Sequence, residues 1–254
     1  SGSTPLAQPL LENRLMSLIT STTVLPARRS DVSFVTEDGV ELVGELSLPE
    51  SHPPMATALF LHPLPTAGGF MDSHVIRKAS WRLPALADIA VLRFNFRGVT
   101  SPRGTSGGSF GEGIAEGEDL KSALRFVHEQ ALPTPWLIGW SFGTEVIMKH
   151  ARPLVDQIAG AILLSPPLHR TSSDEVAAWA DSPVPVAALI PEFDEFLPPA
   201  AATTGFAPAP NIDVVPAEGA KHLWVGEKHT KWVLDQIALR LNPPTYPLPE
   251  SFGA

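Results

Sequence analysis

Six short stretches of the chain are almost continuously apolar, and segments with a helical repeat separate them. An unbroken apolar run of this length suits a parallel strand that is buried on both faces of a sheet. Because strand and helix patterns alternate, we expect a parallel sheet covered by helices on both sides. The six apolar runs are ATALFLHP (56–63), IAVLRFNFRG (89–98), PWLIGW (135–140), GAILLSPP (160–167), VPVAALIPEFD (184–194) and IDVVPAEGAKH (212–222).

A different pattern precedes these runs. Residues 31–49 alternate apolar and polar side chains around Asp38-Gly39, which predicts an antiparallel hairpin, since Asp-Gly supplies the positive φ of a tight turn. The whole pattern predicts a three-layer α/β/α fold with a mostly parallel sheet of about eight strands, opened by the hairpin. The predicted helices cover residues 74–88, 117–130, 143–158, 173–181 and 229–242.

The pattern also divides the chain. Residues 29–242 are predicted to form a single α/β domain, because neither an internal repeat nor a linker interrupts them. Residues 1–28 form a predicted accessory arm, with a helix-like run, LLENRLMSLIT, at 10–20. Residues 243–254 are a proline-rich tail that we expect to be loose or to wrap the surface.

Composition narrows the class of protein. A net charge of −9 argues against a nucleic-acid partner, and the absence of cysteine excludes disulfides, thiolate zinc sites and cysteine nucleophiles. No apolar stretch is long enough to span a bilayer, and no secretory signal is visible, so a cytoplasmic location is expected. A monomer or a homodimer is expected.

The motif G-x-S-x-G occurs three times, with its serine at position 106, 109 or 141. A nucleophile elbow needs a strand before the serine, a helix after it and small flanking residues in the turn. Ser141 has the predicted strand PWLIGW before it and a helical pattern after Gly143. Ser106 and Ser109 lie in a glycine-rich segment without an apolar run, which favours a flexible loop. We therefore take Ser141 as the candidate nucleophile.

A serine nucleophile needs a base, and the base needs a carboxylate to orient it. Both should follow strands of the same sheet, in the chain order serine, acid, histidine. Asp194 comes a few residues after a predicted strand and is preferred to its neighbours Glu192 and Glu195. His222 also follows a strand and is the preferred base. The other histidines are assigned as surface residues, except His169, which could line the cleft, and His62, whose ring is expected to support the loop that follows it.

The negative charge that develops on a carbonyl oxygen under attack is stabilised by fixed backbone N–H groups. One donor is expected from Phe142, the residue after the candidate nucleophile. The second is expected from the loop after His62, where Leu64 is the only N–H donor between Pro63 and Pro65.

These segments together resemble the α/β-hydrolase superfamily, and most of all its small capless branch of dienelactone-hydrolase-like proteins and short-chain esterases. The resemblance covers about residues 31–240 and rests on LFLHPLPTAGG, VLRFNFRGV, GEGIAEGEDLKSALRFV, LIGWSFGTEV, IPEFDEFLPP and GAKHLW. It implies a catalytic triad of Ser141, Asp194 and His222, an acyl-enzyme, and neither a metal nor an organic cofactor. It also implies that the Arg97-Gly98 turn shapes the floor near the site. Dienelactone hydrolases themselves use cysteine, which the chain lacks.

The segment between the fourth and fifth apolar runs has room for about one helix, so no large lid is expected. The predicted function is hydrolysis of a small carboxylic ester, with thioesters or lactones also open. Two alternatives are a peptidase or amidase, for which Glu112, Glu116 and Glu118 could bind a free amino group, and a non-catalytic binding protein. The substrate pocket is expected to be apolar, with Trp140, Phe193 and Trp224 as substrate-binding residues and with further lining from Leu64, Phe70, Phe142 and Phe196.

Overall fold

A computed structural model of the protein describes residues 16–253 and contains a central sheet of eight strands. The strands, numbered along the chain, are β1 Met16–Leu18, β2 Arg28–Val35, β3 Glu41–Leu48, β4 Ala56–Leu61, β5 Ile89–Phe94, β6 Thr100–Ser101, β7 Gly104–Thr105, β8 Pro135–Trp140, β9 Gly160–Leu164, β10 Val186–Pro191, β11 Asp213–Ala217 and β12 Ser251–Gly253. The central sheet has the order β11-β10-β9-β8-β4-β5-β3-β2. From β5 to β11 its neighbours are parallel, while β2, β3 and β5 pair antiparallel. The predicted fold class is confirmed.

Helices cover both faces of this sheet. They are α1 His74–Ala87, α2 Glu116–Glu129, α3 Phe142–His150, α4 Ser173–Ala177, α5 Pro199–Gly205 and α6 Glu227–Leu241, with 3₁₀ turns at Pro65–Ala67, Arg152–Gln157 and Pro243–Thr245. Apolar residues of α1 and α6 pack in one cluster, and those of α2 and α3 pack in the other. Strand β4 contributes to both clusters, because successive side chains of a strand point to opposite faces. Ala58 and Phe60 pack with α1 and α6, and Leu59 and Leu61 pack with α2 and α3.

Three elements differ from the sequence-based expectation. The helix predicted for 143–158 ends at His150 and continues as a 3₁₀ turn that has Pro153 in its first turn, since proline cannot serve a helix interior. Within the helix-like run at 10–20, Met16–Leu18 forms strand β1, which pairs with β12 at the far end of the chain. Residues 10–15 of that run lie outside the described residues. Helix α5 was not predicted.

The connection between β9 and β10 is short, as expected. Residues 165–185 contain only α4, a helix of five residues that begins with a capping box between Ser172 and Glu175. Within residues 16–253, no separate lid layer therefore covers the carboxyl edge of the sheet. The loops that follow β4, β8, β9, β10 and β11 meet at this edge.

Candidate active site

Ser141 lies at the turn between β8 and α3, in a backbone conformation that side chains rarely adopt. Its φ is 52° and its ψ is −112°, which is a strained conformation for a residue with a Cβ. The turn is tight enough to exclude side chains on both flanks. A Cβ on Gly139 would lie 2.6 Å from the Gly143 carbonyl carbon, and one on Gly143 would lie 2.1 Å from the Leu61 oxygen. Glycine at both motif positions is therefore a steric requirement, and Ser141 sits partly buried at the edge of the sheet.

Three side chains from distant parts of the sequence form a continuous hydrogen-bonded line at this edge. His222 Nε2 lies 2.9 Å from Ser141 Oγ, and His222 Nδ1 lies 2.8 Å from Asp194 Oδ2. Asp194 and His222 are both buried, at 5 % and 6 % exposure, so water screens their interaction only weakly. With Nδ1 protonated toward Asp194, Nε2 is the acceptor for the serine hydroxyl.

Asp194 is held as a carboxylate by its own loop. Its Oδ1 accepts hydrogen bonds from the backbone N–H groups of Phe196 at 2.8 Å and Leu197 at 3.1 Å. Burial alone would raise the pKa of Asp194, but the hydrogen bonds from His222 and from these amides outweigh it and lower the pKa. The rival Glu192 accepts instead from the Gly219 N–H at 2.7 Å, and Glu195 is exposed.

Two residues that the sequence analysis did not predict for this role hold the loop that carries His222. Trp140 Nε1 and Ser165 Oγ both donate to the His222 carbonyl oxygen, at 3.2 and 3.0 Å. Phe196 packs edge-to-face on the imidazole, with 4.6 Å between ring centroids. The only sequence signal was position, because Trp140 ends strand β8 and Ser165 follows the neighbouring strand β9.

The loop after β4 is arranged around His62, as predicted. His62 Nδ1 donates to the Pro63 carbonyl at 2.7 Å, and Nε2 accepts from the Phe96 N–H at 3.0 Å. Complete burial lowers the pKa of His62 from 6.5 to about 4, so the ring is neutral at physiological pH. Leu64 follows and lines the same cleft as Ser141. Phe142 is the first residue of α3, so its N–H has no acceptor within the helix.

The Arg97-Gly98 turn ties helix α2 to the hairpin and lines a groove separate from the cleft beside Ser141. Arg97 contacts Asp119 through its backbone N–H and its side chain, each at 2.9 Å, and also binds Asp38 at 2.9 and 3.1 Å. Gly98 has a φ of 75°, and a Cβ there would lie 2.9 Å from Ser109 Cα. The flexible-loop interpretation of Ser106 is wrong, because its buried hydroxyl donates to the Asn95 carbonyl and accepts from Val43.

The cleft beside Ser141 is small, with a volume of about 90 Å³. That volume is well below the roughly 300–1,000 Å³ of pockets that enclose a drug-sized ligand, which suits a short acyl or alcohol group. Of the residues expected to line it, the structure places Leu64, Phe142 and Phe196 there. The full lining is Leu64, Ser141, Phe142, Glu145, Pro167, His169, Arg170 and Phe196.

Trp140 and Trp224 do not line this cleft, contrary to expectation. Both belong to the apolar cluster under α1 and α6, where they are 2 % and 0 % exposed, and Trp224 stacks on Trp232. Neighbouring residues on a strand point to opposite faces, so the residue before Ser141 points away from the cleft. Phe193 is 59 % exposed and also lies outside the cleft lining, while Phe70 faces a separate groove near Arg97.

The acidic residues that could have bound an amino group have other partners. Glu116 is buried and accepts from the N–H groups of Gly111 and Gly113. Glu118 pairs with Lys121, and Glu112 lies 3.4 Å from Arg170. Within residues 16–253, no three His, Asp or Glu side chains are grouped so that they could hold a metal ion.

Solved structures with the same architecture identify the fold. A lidless α/β serine hydrolase from Xanthomonas campestris is 28 % identical, with a TM-score of 0.69 over 86 % of this chain and 97 % of that one. An α/β serine hydrolase homologue from Coxiella burnetii is 26 % identical, with a TM-score of 0.68 over 82 % and 95 % of the two chains. The chain belongs to the α/β-hydrolase superfamily. An esterase from Pyrococcus furiosus, 18 % identical, shares the α/β-hydrolase fold with a TM-score of 0.69 over 85 % and 92 %.

Sequence comparison adds less than the structures do. No model of a known protein family matches this α/β-hydrolase chain. An uncharacterized protein of Rickettsia prowazekii is 30 % identical over 132 residues, which are 50 % of this chain. The match spans about half the length of that relative, 52 %. Every helix among the described residues is too short or too polar to span a bilayer.

Proposed function

We propose that this protein is a serine hydrolase that cleaves small carboxylic esters through an acyl-enzyme on Ser141. The observation that carries the proposal is the hydrogen-bonded line from Ser141 Oγ through both ring nitrogens of His222 to Asp194, at 2.9 and 2.8 Å. These distances are those of a nucleophile and base within proton-transfer reach. The resemblance to a lidless serine hydrolase at 28 % identity supports the same reaction class.

The proposed reaction has two halves. Ser141 Oγ attacks the ester carbonyl carbon as its proton passes to His222 Nε2, while Asp194 holds the imidazole in the required tautomer and stabilises the imidazolium. The N–H groups of Leu64 and Phe142 are proposed to stabilise the oxyanion. His222 then protonates the departing alcohol. A water molecule, deprotonated by His222, attacks the acyl-enzyme; the bond between the acyl carbon and Ser141 Oγ breaks, His222 returns the proton to Ser141 Oγ, and the acid is released.

The cleft favours short esters over bulky or long-chain ones. Its volume of about 90 Å³ is well below that of pockets for drug-sized ligands, and no lid layer within residues 16–253 extends it. Glu116 and Glu118 have partners away from the cleft, and Glu112 is exposed and pairs with Arg170, which disfavours the aminopeptidase alternative.

Hydrolysis of p-nitrophenyl butyrate, combined with labelling by a fluorophosphonate, tests the proposal. We expect turnover by the wild-type protein, covalent labelling at Ser141 alone, and loss of both in Ser141→Ala. Ser106→Ala is the matched control, since that serine fits the same sequence motif but its hydroxyl is bound within the fold. Wild-type protein that neither turns over esters nor labels at Ser141 would favour a binding protein, and faster cleavage of aminoacyl anilides would favour a peptidase.

A further inference from the structure

A buried carboxylate with an unused oxygen lies in the cleft, one helical turn after Ser141. Glu145 is 1 % exposed and lines the same space as Ser141. Its Oε1 accepts from the backbone N–H of Arg170 and lies 3.5 Å from Thr171 Oγ1. Its Oε2 has no hydrogen-bond partner within the described part of the chain. An unpaired buried carboxylate oxygen is costly, so its retention beside a nucleophile points to a ligand.

The guanidinium of Arg170 lies next to this oxygen but does not bind it. Arg170 Nη1 is 4.0 Å from Glu145 Oε2, which is too long for a hydrogen bond. The guanidinium lies over the rings of Phe110 and Phe142, at 5.9 and 5.7 Å from their centroids, and Nη2 is 3.4 Å from Glu112. These contacts hold a cationic donor and an anionic acceptor at opposite sides of one small gap.

We propose that this gap binds a hydroxyl group of the substrate, so that the preferred substrates are short hydroxylated esters. The inference rests on the proposed ester hydrolysis and adds the substrate class. A single oxygen can lie about 2.7 Å from Glu145 Oε2 and about 2.9 Å from Arg170 Nη1 across the 4.0 Å between these atoms, with an angle of about 90° between the two bonds. Because Glu145 Oε2 is buried, the partly exposed side chain of Arg170 must shift to admit that oxygen. A hydroxyl is the matching group because it donates and accepts at one atom.

Charged substrate groups fit the gap less well. An ammonium has only donors and would face the guanidinium of Arg170, whereas a carboxylate has only acceptors and would face Glu145. A plain alkyl chain would leave Glu145 Oε2 buried without a partner. Sites built to hydrogen-bond a substrate group select strongly against analogues that lack it. Because the acceptor is charged, we expect the hydroxyl to increase kcat/KM about tenfold or more.

Two pairs of esters test this inference, one pair for each side of the ester bond. Methyl 3-hydroxybutyrate is compared with methyl butyrate, and 2-hydroxyethyl butyrate with propyl butyrate, each by pH-stat. In wild-type protein, one hydroxylated ester should exceed its plain partner about tenfold in kcat/KM. Glu145→Gln turns the cleft-facing acceptor into a donor while its oxygen can still bind the Arg170 N–H. Arg170→Met removes the guanidinium and keeps that backbone N–H.

In both variants the ratio of kcat/KM for the hydroxylated and the plain ester should fall to within about threefold of unity, because one charge-assisted hydrogen bond is lost. Glu129→Gln, an exposed carboxylate at the end of α2, should keep the wild-type ratio. Wild-type ratios near unity for both pairs would overturn the inference while leaving ester hydrolysis intact. A wild-type preference that persists in both variants would overturn it as well. If Glu145→Gln does not fold, Arg170→Met and the wild-type ratios decide the question. If the wild-type protein hydrolyses none of the four esters, the proposed function itself is overturned.

Discussion

Replacing Asp194 with asparagine tests whether the carboxylate acts by fixing the tautomer of His222. The structure dictates how the new amide would orient. Two N–H groups, from Phe196 and Leu197, point at Oδ1 of residue 194, so the amide oxygen of asparagine must take that place. The inverted orientation would set an NH₂ group against two donors and lose two hydrogen bonds, at about 1 kcal/mol each. The NH₂ group of the substituted side chain would therefore face His222 Nδ1, which lies 2.8 Å from the carboxylate in the wild-type protein.

An NH₂ group in this position makes Nδ1 an acceptor and moves the ring proton to Nε2. His222 would then present a donor to Ser141 Oγ, at 2.9 Å, and could not take the hydroxyl proton. We expect kcat/KM to fall about 10⁴-fold, which corresponds to about 5 kcal/mol of transition-state stabilisation. The geometry itself should survive, because asparagine is nearly isosteric and keeps both backbone hydrogen bonds.

The assay is p-nitrophenyl butyrate hydrolysis at neutral pH with the melting temperature measured in parallel. The matched control is Glu192→Gln, an acidic residue of the same loop that binds Gly219 and not His222. We expect this control to stay within about threefold of wild type, the scale of a surface substitution. An Asp194→Asn protein that melts normally and retains more than a tenth of wild-type activity would refute the tautomer argument.

Three further predictions concern the supports of the site. The pKa of His62 is lowered from 6.5 to about 4, so its contribution to the free energy of unfolding is complete above pH 6.5 and is lost as the pH falls toward 4, by about 3 kcal/mol in all. In urea unfolding over this range, the free energy of unfolding should fall more steeply for wild type than for His62→Gln, and parallel curves would contradict the prediction. Gly143→Ala should lower the free energy of unfolding by about 3 kcal/mol or more in thermal unfolding, because the new Cβ would overlap the Leu61 oxygen. Gly107→Ala should cost far less, since its Cβ would lie 3.6 Å from its nearest neighbour. Arg97→Met should cost about 3–5 kcal/mol in urea unfolding, because it removes the guanidinium that pairs with the buried Asp119 and leaves that carboxylate with the backbone N–H of residue 97. Lys121→Met, at an exposed pair, should cost about 0.5 kcal/mol, and equal losses would show that burial of Asp119 is not the cause.

The fold and the chain positions of the candidate triad could be predicted from the sequence because both depend on local patterns. Each of Ser141, Asp194 and His222 follows a buried strand, and parallel strands bring their carboxyl ends to one edge. The distinction between Ser141 and Ser106 also needs only the strand and helix on either side of the motif. The catalytic roles of these residues remain predictions.

The features that the sequence did not predict depend on non-local contacts. Strand β1 pairs with β12, which lies at the opposite end of the chain, so no periodicity within 10–20 could reveal it. The two faces of a parallel sheet are equally apolar, and an aromatic residue at a strand end can therefore face the cleft or the core. Trp140 and Trp224 face the core, and Glu145 was missed because a carboxylate on an amphipathic helix normally indicates the solvent side.

The supports of the three candidate catalytic groups tie two of them to the same pair of strands and the third to its own loop. Ser141 is strained by the β8–α3 turn and tied through its N–H to Leu164 at the end of β9, at 2.9 Å. The His222 carbonyl is bound by Trp140 and Ser165, which end or follow those same two strands. Ser141 and His222 are thus both hydrogen-bonded to residues at the ends of β8 and β9, so a movement of these strands would carry the two groups together. Asp194 alone depends on a separate loop, where the backbone amides of Phe196 and Leu197 fix it, so a shift of that loop would move the carboxylate relative to the other two groups.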